Sequence, residues 1–308
     1  MGAETTIGRW AGAELCRQGR DDGRASPHKR RGGWRGRCIA LVAVALALAT
    51  VAGLKSAAFA ATGVSFTVTS TADAVDASVG NGLCETASGV CTLRAAIQET
   101  NALAGADTIV VPGGTYALTR TGTTPDSGDY DISDSVVIAG AGASSTIIDG
   151  GNPPSGSPQV PGIDRLFEVV VEGATISISD VTISGGWAAE YGGAILVSSS
   201  STLAISDSIL TGSVAGKTGG AIDNHAGGVV DLTGSTLSNN YAAEGGSAIN
   251  NNLGGVVTIA NSTVSSNSAA DVGLNETLVG AGAISNNAEH DEVGTIVVTD
   301  SVIVPTPL

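Results

Sequence analysis

The sequence contains few large side chains. Aromatic residues make up 3% of its 308 residues and there is one Met, so the residues that usually fill a large globular core are scarce. Gly is abundant, with 44 residues, and Ser, Thr, Ala, Val and Ile are frequent. This composition argues against a bulky aromatic core. It favours short strands packed by small aliphatic side chains, with Gly and Asn at the turns.

Positive charge is also scarce, and most of it lies near the N-terminus. Residues 1–61 hold ten of the 14 Lys and Arg, whereas the rest of the chain has four cations against 25 acidic residues. The net charge of that remainder is near −21. Such a surface repels nucleic acid and anionic polysaccharide and would bind acidic membranes poorly, which argues against all three as partners. Neutral glycans, cations and other surface proteins remain.

The segment 1–61 has the pattern of an export leader. A basic cluster at 28–37 precedes an apolar run at 38–54, and Ala58-Phe59-Ala60 then supplies the small residues of a cleavage site. The apolar run is short for a membrane span, although an uncleaved anchor is the alternative. We therefore predict a secreted or cell-surface protein with no transmembrane segment after cleavage.

Two cysteines remain after the leader, Cys84 and Cys91. In an exported chain, a small disulfide loop is the expected state of such a pair. Free thiols or a metal site are the alternatives, but no histidine lies nearby to complete a ligand set.

A short motif recurs along the second half of the chain. Gly-Gly-Ala-Ile or a close variant places Ile195, Ile222 and Ile249 at a constant 27-residue step, and a fourth copy reaches Ile284 after a 35-residue step. The longer step indicates an eight-residue insertion within 271–279. Two further apolar columns keep the 27-residue step: Ile178, Ile205, Leu232 and Ile259, and Ile183, Leu210, Leu237 and Val264.

Several columns with one period predict a repeat fold. Each unit shows short alternating strands with Asn or Gly between them, which is typical of a coil whose copies stack about 4.8 Å apart. Leucine-rich repeats, propeller blades and calcium-binding nonapeptide repeats do not fit the period and consensus. We predict an all-β, right-handed parallel β-helix solenoid with a 27-residue coil and Asn ladders at its corners.

The residues before the repeats fit the cap that a solenoid end requires. A strand is expected at 64–69, a further strand and turn are expected at 107–116, and Thr92 is the expected N-cap of a short amphipathic helix at 92–104. We expect the last coil to be cut short, because the chain stops directly after a strand. The predicted domains are the leader, the cap with its helix, and the coils, at residues 1–61, 62–118 and 119–308.

The stretch Cys91-Thr92-Leu93-Arg94-Ala95-Ala96-Ile97 resembles the Cys-Ser-Leu-Arg-Glu-Ala-Ile (CSLREAI) motif of a family of bacterial β-helix surface proteins. It departs from that motif by Thr at the second position and Ala at the fifth. The Gly-Gly-Ala-Ile repeats are similar to those of polymorphic outer-membrane proteins and adhesin-like passengers. This resemblance implies export and cell-surface or adhesion-like work, and it brings no catalytic residues.

Two conspicuous residues have a structural and a functional interpretation. Lys217 lies one 27-residue step from both Glu190 and Glu244, so a charge ladder across three coils is favoured over a catalytic base. His225 follows Asp223 and would serve as a general base or metal ligand, but Asn at equivalent positions favours a structural corner. We assign no catalytic and no metal-binding residue.

Three acidic residues and three aromatic residues are the remaining candidates. Asp180, Asp207 and Asp300 form a column that would bind calcium, the one candidate cofactor, although a solvated ladder is favoured. Candidate glycan contacts, with groove filling as the alternative, are Trp187, Tyr191 and Tyr241.

The sequence thus favours an exported β-helix protein with an adhesin-like binding or structural role and without catalysis. The alternative is a carbohydrate-active β-helix enzyme, pectate-lyase-like or a glycoside hydrolase, acting on a polysaccharide. Neither the Gly-His-Gly nor the Arg-Ile-Lys segment of polygalacturonase-like hydrolases occurs. An enzyme would gather two carboxylates, or a carboxylate and a cation, in one groove.

Overall fold

The computed structural model describes residues 63–151, 164–270, 277–279, 282–287 and 294–304. The predicted leader at 1–61 lies outside the described residues, as does most of the predicted insertion. Within the described residues there is one helix, α1 (Leu93–Ala102), and the remaining regular structure is β-strand. No described helix is both long enough and apolar enough to cross a membrane.

The strands form four sheets, and neighbours within a sheet come from successive coils. Sheet 1 contains β1 (Ser65–Thr67), β2 (Asp107–Val111), β5 (Val136–Gly140), β8 (Thr175–Ser179), β12 (Thr202–Ser206), β16 (Val229–Thr233), β20 (Val256–Ala260) and β25 (Thr295–Thr299). Sheet 2 contains β3 (Gly114–Ala117), β6 (Thr146–Asp149), β9 (Thr182–Ser184), β13 (Ile209–Thr211), β17 (Thr236–Ser238), β21 (Thr263–Ser265) and β26 (Val302–Ile303). Sheet 3 contains β4 (Tyr130–Ile132), β7 (Phe167–Val169), β11 (Ile195–Val197), β15 (Ile222–Asn224), β19 (Ile249–Asn251), β24 (Ile284–Asn286) and β23 (Thr277–Val279). Sheet 4 contains β10 (Trp187–Ala188), β14 (Val214–Ala215), β18 (Tyr241–Ala242) and β22 (Ser268–Ala269).

Strand pairing follows the repeat. In sheet 3, Ile195 pairs with Ile222 and Ile222 with Ile249, at the predicted step, and Ile249 pairs with Ile284 across the longer coil. All these pairs are parallel; β23 and β24 form an antiparallel pair beside them. The predicted all-β parallel solenoid is confirmed, and its right-handedness remains a prediction.

Side-chain alternation places aliphatic columns inside the solenoid, because neighbouring residues of a strand face opposite sides of its sheet. The predicted column Ile178, Ile205, Leu232 and Ile259 is buried throughout. The predicted Asn ladders are also confirmed. Asn224 Nδ2 donates to Asn251 Oδ1 and Asn251 Nδ2 to Asn286 Oδ1, each at 2.8 Å in the buried interior.

The column proposed for calcium is a corner of the coil, between sheets 1 and 2. Asp180, Asp207, Asn261 and Asp300 have φ of 58°, 48°, 50° and 49°, and Gly234 in the same column has φ 61°. This left-handed region favours Gly, Asn and Asp over other residues. The backbone therefore accounts for the composition of the column without a cation, and calcium binding there remains a prediction.

The helix and strands predicted between residues 62 and 118 are present, with some differences in their bounds. Helix α1 begins after Thr92, whose side chain accepts a hydrogen bond from the Ala95 backbone N–H, and it ends two residues before the expected end. Cys84 and Cys91 form the predicted disulfide. Strand β1 covers a shorter stretch than expected, whereas the strand and turn predicted at 107–116 are present as β2 and the break at 112–113, after which β3 begins.

Arg94 connects the cap to the first coil. Its guanidinium is buried, pairs with buried Asp73 at 2.6 Å, and lies 4.7 Å from the Tyr130 ring centroid. It also donates to the carbonyls of Gly128 and Asp129, at 2.8 Å and 3.1 Å. Burial raises the pKa of Asp73, but hydrogen bonds, first from Arg94, outweigh it and hold that pKa below its ordinary value.

We expect Arg94→Met to lower the free energy of unfolding by about 3–5 kcal/mol, because the variant leaves Asp73 as a buried carboxylate without its cation. Urea titration measures this change. The matched control is Arg120→Met, since the guanidinium hydrogen bond of Arg120 is exposed; it should cost about 1 kcal/mol or less. Equal losses in the two variants would contradict the assigned role of Arg94.

Candidate functional site

A column of side chains runs along the outer face of sheet 3. Its members are the middle residues of paired strands, namely Asp131, Glu168, Leu196, Asp223, Asn250 and Ser285. The last four are buried, whereas Asp131 and Glu168 are partly exposed. The column is therefore covered from Leu196 onward, whereas it is partly open to solvent at Asp131 and Glu168.

The cover is the glycine corner that precedes each later strand of sheet 3. Gly219 has φ 70°, and a Cβ atom placed on it would lie 2.5 Å from the Cβ of Asp223. Gly246, with φ 55°, approaches Asn250 in the same way at 2.8 Å. Glycine permits both the left-handed angle and the close approach. The repeated Gly of the motif therefore lets the chain lie directly over the outer column.

The described residues before β7 do not form this glycine corner. Asp164-Arg165-Leu166 stands before Phe167, where the next two coils have Gly-Gly-Ala before Ile and the coil after them has Gly-Ser-Ala. A cavity of about 540 Å³ opens there along the side of the solenoid. We call it the lateral cavity. Its charged and aromatic lining consists of Asp129, Asp131, Asp164, Arg165, Glu168, Trp187, Glu190 and Tyr191.

Carboxylates form one side of the lateral cavity. One oxygen each from Asp129, Asp131 and Glu168 lies within 4.8 Å of the other two. Arg165 Nη1 bridges two of these groups, at 3.2 Å from Asp129 Oδ2 and 2.6 Å from Glu168 Oε2. The three carboxylates have the oxygen ligands that a divalent cation prefers, but the arginine already supplies positive charge between two of them.

The electrostatics set Asp129 apart from its neighbours. Burial raises its pKa to about 7. The negative charges of Asp164, Asp131 and Glu168 raise this pKa as well, and the positive charge of Arg165 offsets their effect only in part. Burial also raises the pKa of Asp131 and of Asp164. At neutral pH the cavity thus contains a buried carboxyl group that exchanges its proton beside carboxylate oxygens.

Of the predicted glycan contacts, Trp187 and Tyr191 both line the lateral cavity and Tyr241 does not. Trp187 and Tyr241 belong to one column of sheet 4, joined through Val214, as their spacing predicts. The ring of Tyr191 packs on His225, with centroids 4.5 Å apart. Glycan contact by any of the three remains a prediction.

Lys217 and His225, for which the sequence allowed both a structural and a functional role, lie next to Tyr191. Lys217 Nζ is 2.8 Å from Glu190 Oε1 and 3.4 Å from the Tyr191 hydroxyl, which confirms the Glu190 contact of the predicted charge ladder; the contact with Glu244 remains a prediction. His225 Nδ1 lies 3.6 Å from Asp223 Oδ1, and the buried Asp223 accepts hydrogen bonds from Thr218 and Asn250. Both residues therefore buttress Tyr191 from outside the lateral cavity.

The sequence analysis did not single out Asp129, Asp131, Asp164 or Glu168. The signal that would have found them is the break in the repeat, since Asp164 stands where the following coils have the sterically required glycines Gly219 and Gly246. Charged residues in place of a steric glycine mark a coil where the chain does not fold over its neighbour.

We expect Asp129 to lower stability as the pH rises. Its folded pKa of about 7 exceeds the ordinary 3.8, so between these values the folded state keeps a proton that the unfolded state has released. Stability contributed by this group is complete below about pH 4 and is lost as pH approaches 7. Asp129→Asn should remove this fall, which would be at least about 1.4 kcal/mol for a one-unit pKa difference.

Urea titrations of both proteins at pH 5 and pH 8 provide the measurement. Asp207→Asn is the control, because Asp207 is exposed at a corner that also accepts Asn. An unchanged pH dependence in Asp129→Asn would show that Asp129 is ionised at neutral pH.

Comparison with known proteins gives no match: no family model, no curated protein and no solved structure matches the chain. The resemblance to the family of the Cys-Ser-Leu-Arg-Glu-Ala-Ile motif therefore rests on the motif residues alone and remains a prediction. The structure shows what several of those residues do here: Cys91 forms a disulfide, Thr92 caps α1, and Arg94 joins α1 to the first coil.

Proposed function

We propose that this chain is an exported, cell-surface or secreted β-helix protein that binds a neutral glycan in the lateral cavity. The observation that carries the proposal is the combination of Trp187 and Tyr191 with several carboxylates around one opening of about 540 Å³. The leader pattern and the disulfide support a location outside the cytoplasm.

The chemistry of the lining matches a sugar. An indole ring offers a flat apolar surface for the C–H face of a pyranose, and the carboxylates accept hydrogen bonds from its hydroxyl groups. A few polar groups placed beside an apolar wall are the usual composition of a small-ligand site.

The charge of the lining selects against acidic sugars. Five carboxylates, from Asp129, Asp131, Asp164, Glu168 and Glu190, line the cavity together with one guanidinium, that of Arg165. A uronate or a sulfated sugar would meet like charge there, and the acidic remainder of the surface would also repel it. The ligand that fits is therefore an uncharged oligosaccharide.

We expect Trp187→Ala to weaken binding of a neutral glycan about tenfold or more, because truncating an aromatic residue at a contact site commonly costs about 2 kcal/mol. Affinity electrophoresis in gels containing neutral glucans, mannans or xylans identifies the ligand, and calorimetry with its oligosaccharides then gives the affinity.

The matched control is Tyr241→Ala, an aromatic residue of the same sheet 4 column outside the cavity. This variant should bind as the wild type does. Equal affinity in Trp187→Ala and the wild type would contradict the cavity as the binding site. If no neutral glycan retards the protein in the gel and the protein instead binds another surface protein, the ligand is a protein and not a glycan.

A further inference from the structure

We propose that the lateral cavity also hydrolyses glycosidic bonds, with Asp129 as the general acid and Glu168 as the nucleophile. The inference rests on the proposed function, because it requires a neutral glycan to lie against Trp187. It adds a reaction to the binding event and assigns separate roles to two carboxyl groups of the cavity wall.

Asp129 and Glu168 form a partly enclosed pair of carboxyl groups in the cavity that Trp187 also lines. Asp129 is 7% exposed, and the Glu168 side chain is 23% exposed at the same opening. One oxygen of each lies within 4.8 Å of the other. Retaining glycosidases place their two carboxyl groups about 5–5.5 Å apart, whereas inverting enzymes need about 6.5–9.5 Å to admit a water molecule. The spacing here favours retention.

A general acid must hold its proton near neutral pH, and burial among other carboxylates raises the pKa of Asp129 to about 7. Its backbone is fixed from the other side, because the Asp129 carbonyl accepts a hydrogen bond from buried Arg94. The acid is thus held on a segment that the cap anchors.

Glu168 Oε2 accepts a 2.6 Å hydrogen bond from Arg165, a charge-assisted contact that fixes the carboxylate. The same guanidinium nitrogen lies 3.2 Å from Asp129, so one residue sets the position of both groups. Asp131 pairs beside Glu168 in sheet 3, but Arg165 bonds to Glu168 rather than to Asp131, which makes Glu168 the better-positioned nucleophile.

The reaction balances with water as the second substrate. Asp129 gives its proton to the glycosidic oxygen as the bond from that oxygen to the anomeric carbon breaks, and a Glu168 oxygen bonds to that carbon. Asp129, now a carboxylate, then takes a proton from water as the water oxygen attacks the anomeric carbon and releases Glu168. The products are a new reducing end and a new hydroxyl, and both residues are restored.

The test uses the full chain with neutral glucans, mannans and xylans, measuring new reducing ends and, in parallel, binding. We expect turnover in the wild type that declines above about pH 7, where Asp129 loses its proton. Asp129→Asn and Glu168→Gln should each reduce turnover about 10²–10⁴-fold while binding persists. The control Asp207→Asn, an exposed acidic residue at a coil corner, should match the wild type.

A chemical rescue separates the nucleophile from a structural role. Azide added to Glu168→Ala should restore turnover and yield a glycosyl azide, because the small anion takes the place of the missing carboxylate. Binding without new reducing ends in the wild type would overturn the hydrolysis and leave the proposed glycan binding intact. Absence of binding to every glycan would overturn both. Wild-type turnover in Asp129→Asn or in Glu168→Gln would overturn the assigned roles.

Discussion

The buried guanidinium of Arg94 is the contact through which the cap, the first coils and the lateral cavity depend on one another. A charge with almost no solvent exposure is stable only when its partners are complete, and here Asp73, two backbone carbonyls and the Tyr130 ring complete them. Three of those partners, the carbonyls of Gly128 and Asp129 and the Tyr130 ring, belong to the segment that presents Asp129. The same interaction that closes the end of the solenoid therefore also fixes one wall of the cavity.

Much of the fold could be predicted, because the strand register of a solenoid appears in the sequence as a constant spacing between equivalent residues. Ile195, Ile222 and Ile249 are equivalent residues that stack on one another, so their spacing in the chain equals the length of a coil. The cap helix was predictable for a local reason, since Thr92 supplies an N-cap just before an amphipathic stretch. The hand of the coil leaves no such trace in the residue pattern.

The cavity was less predictable, because it arises from an interruption of the repeat. Trp187 and Tyr191 could be identified as candidate contact residues because aromatic residues are rare in this sequence, and both line the lateral cavity. The carboxyl groups of the cavity could not be identified in this way, because Asp129 and Asp131 precede the regular repeats and Glu168 shares its column with the apolar Leu196. Their proximity requires knowing that β4 and β7 are neighbours, at a register step longer than that of the regular coils.

The glycine corners have a consequence for how this molecule tolerates change in length. The coils of β15 and β19 each carry a glycine cover over the outer column, and their strands pair only with those of adjacent coils, as in other linear repeat proteins. Duplication or deletion of a whole coil there would lengthen or shorten the rod by one layer and leave the opening beside β7 unaltered. The number of coils and the residues of the lateral cavity can therefore change independently of each other.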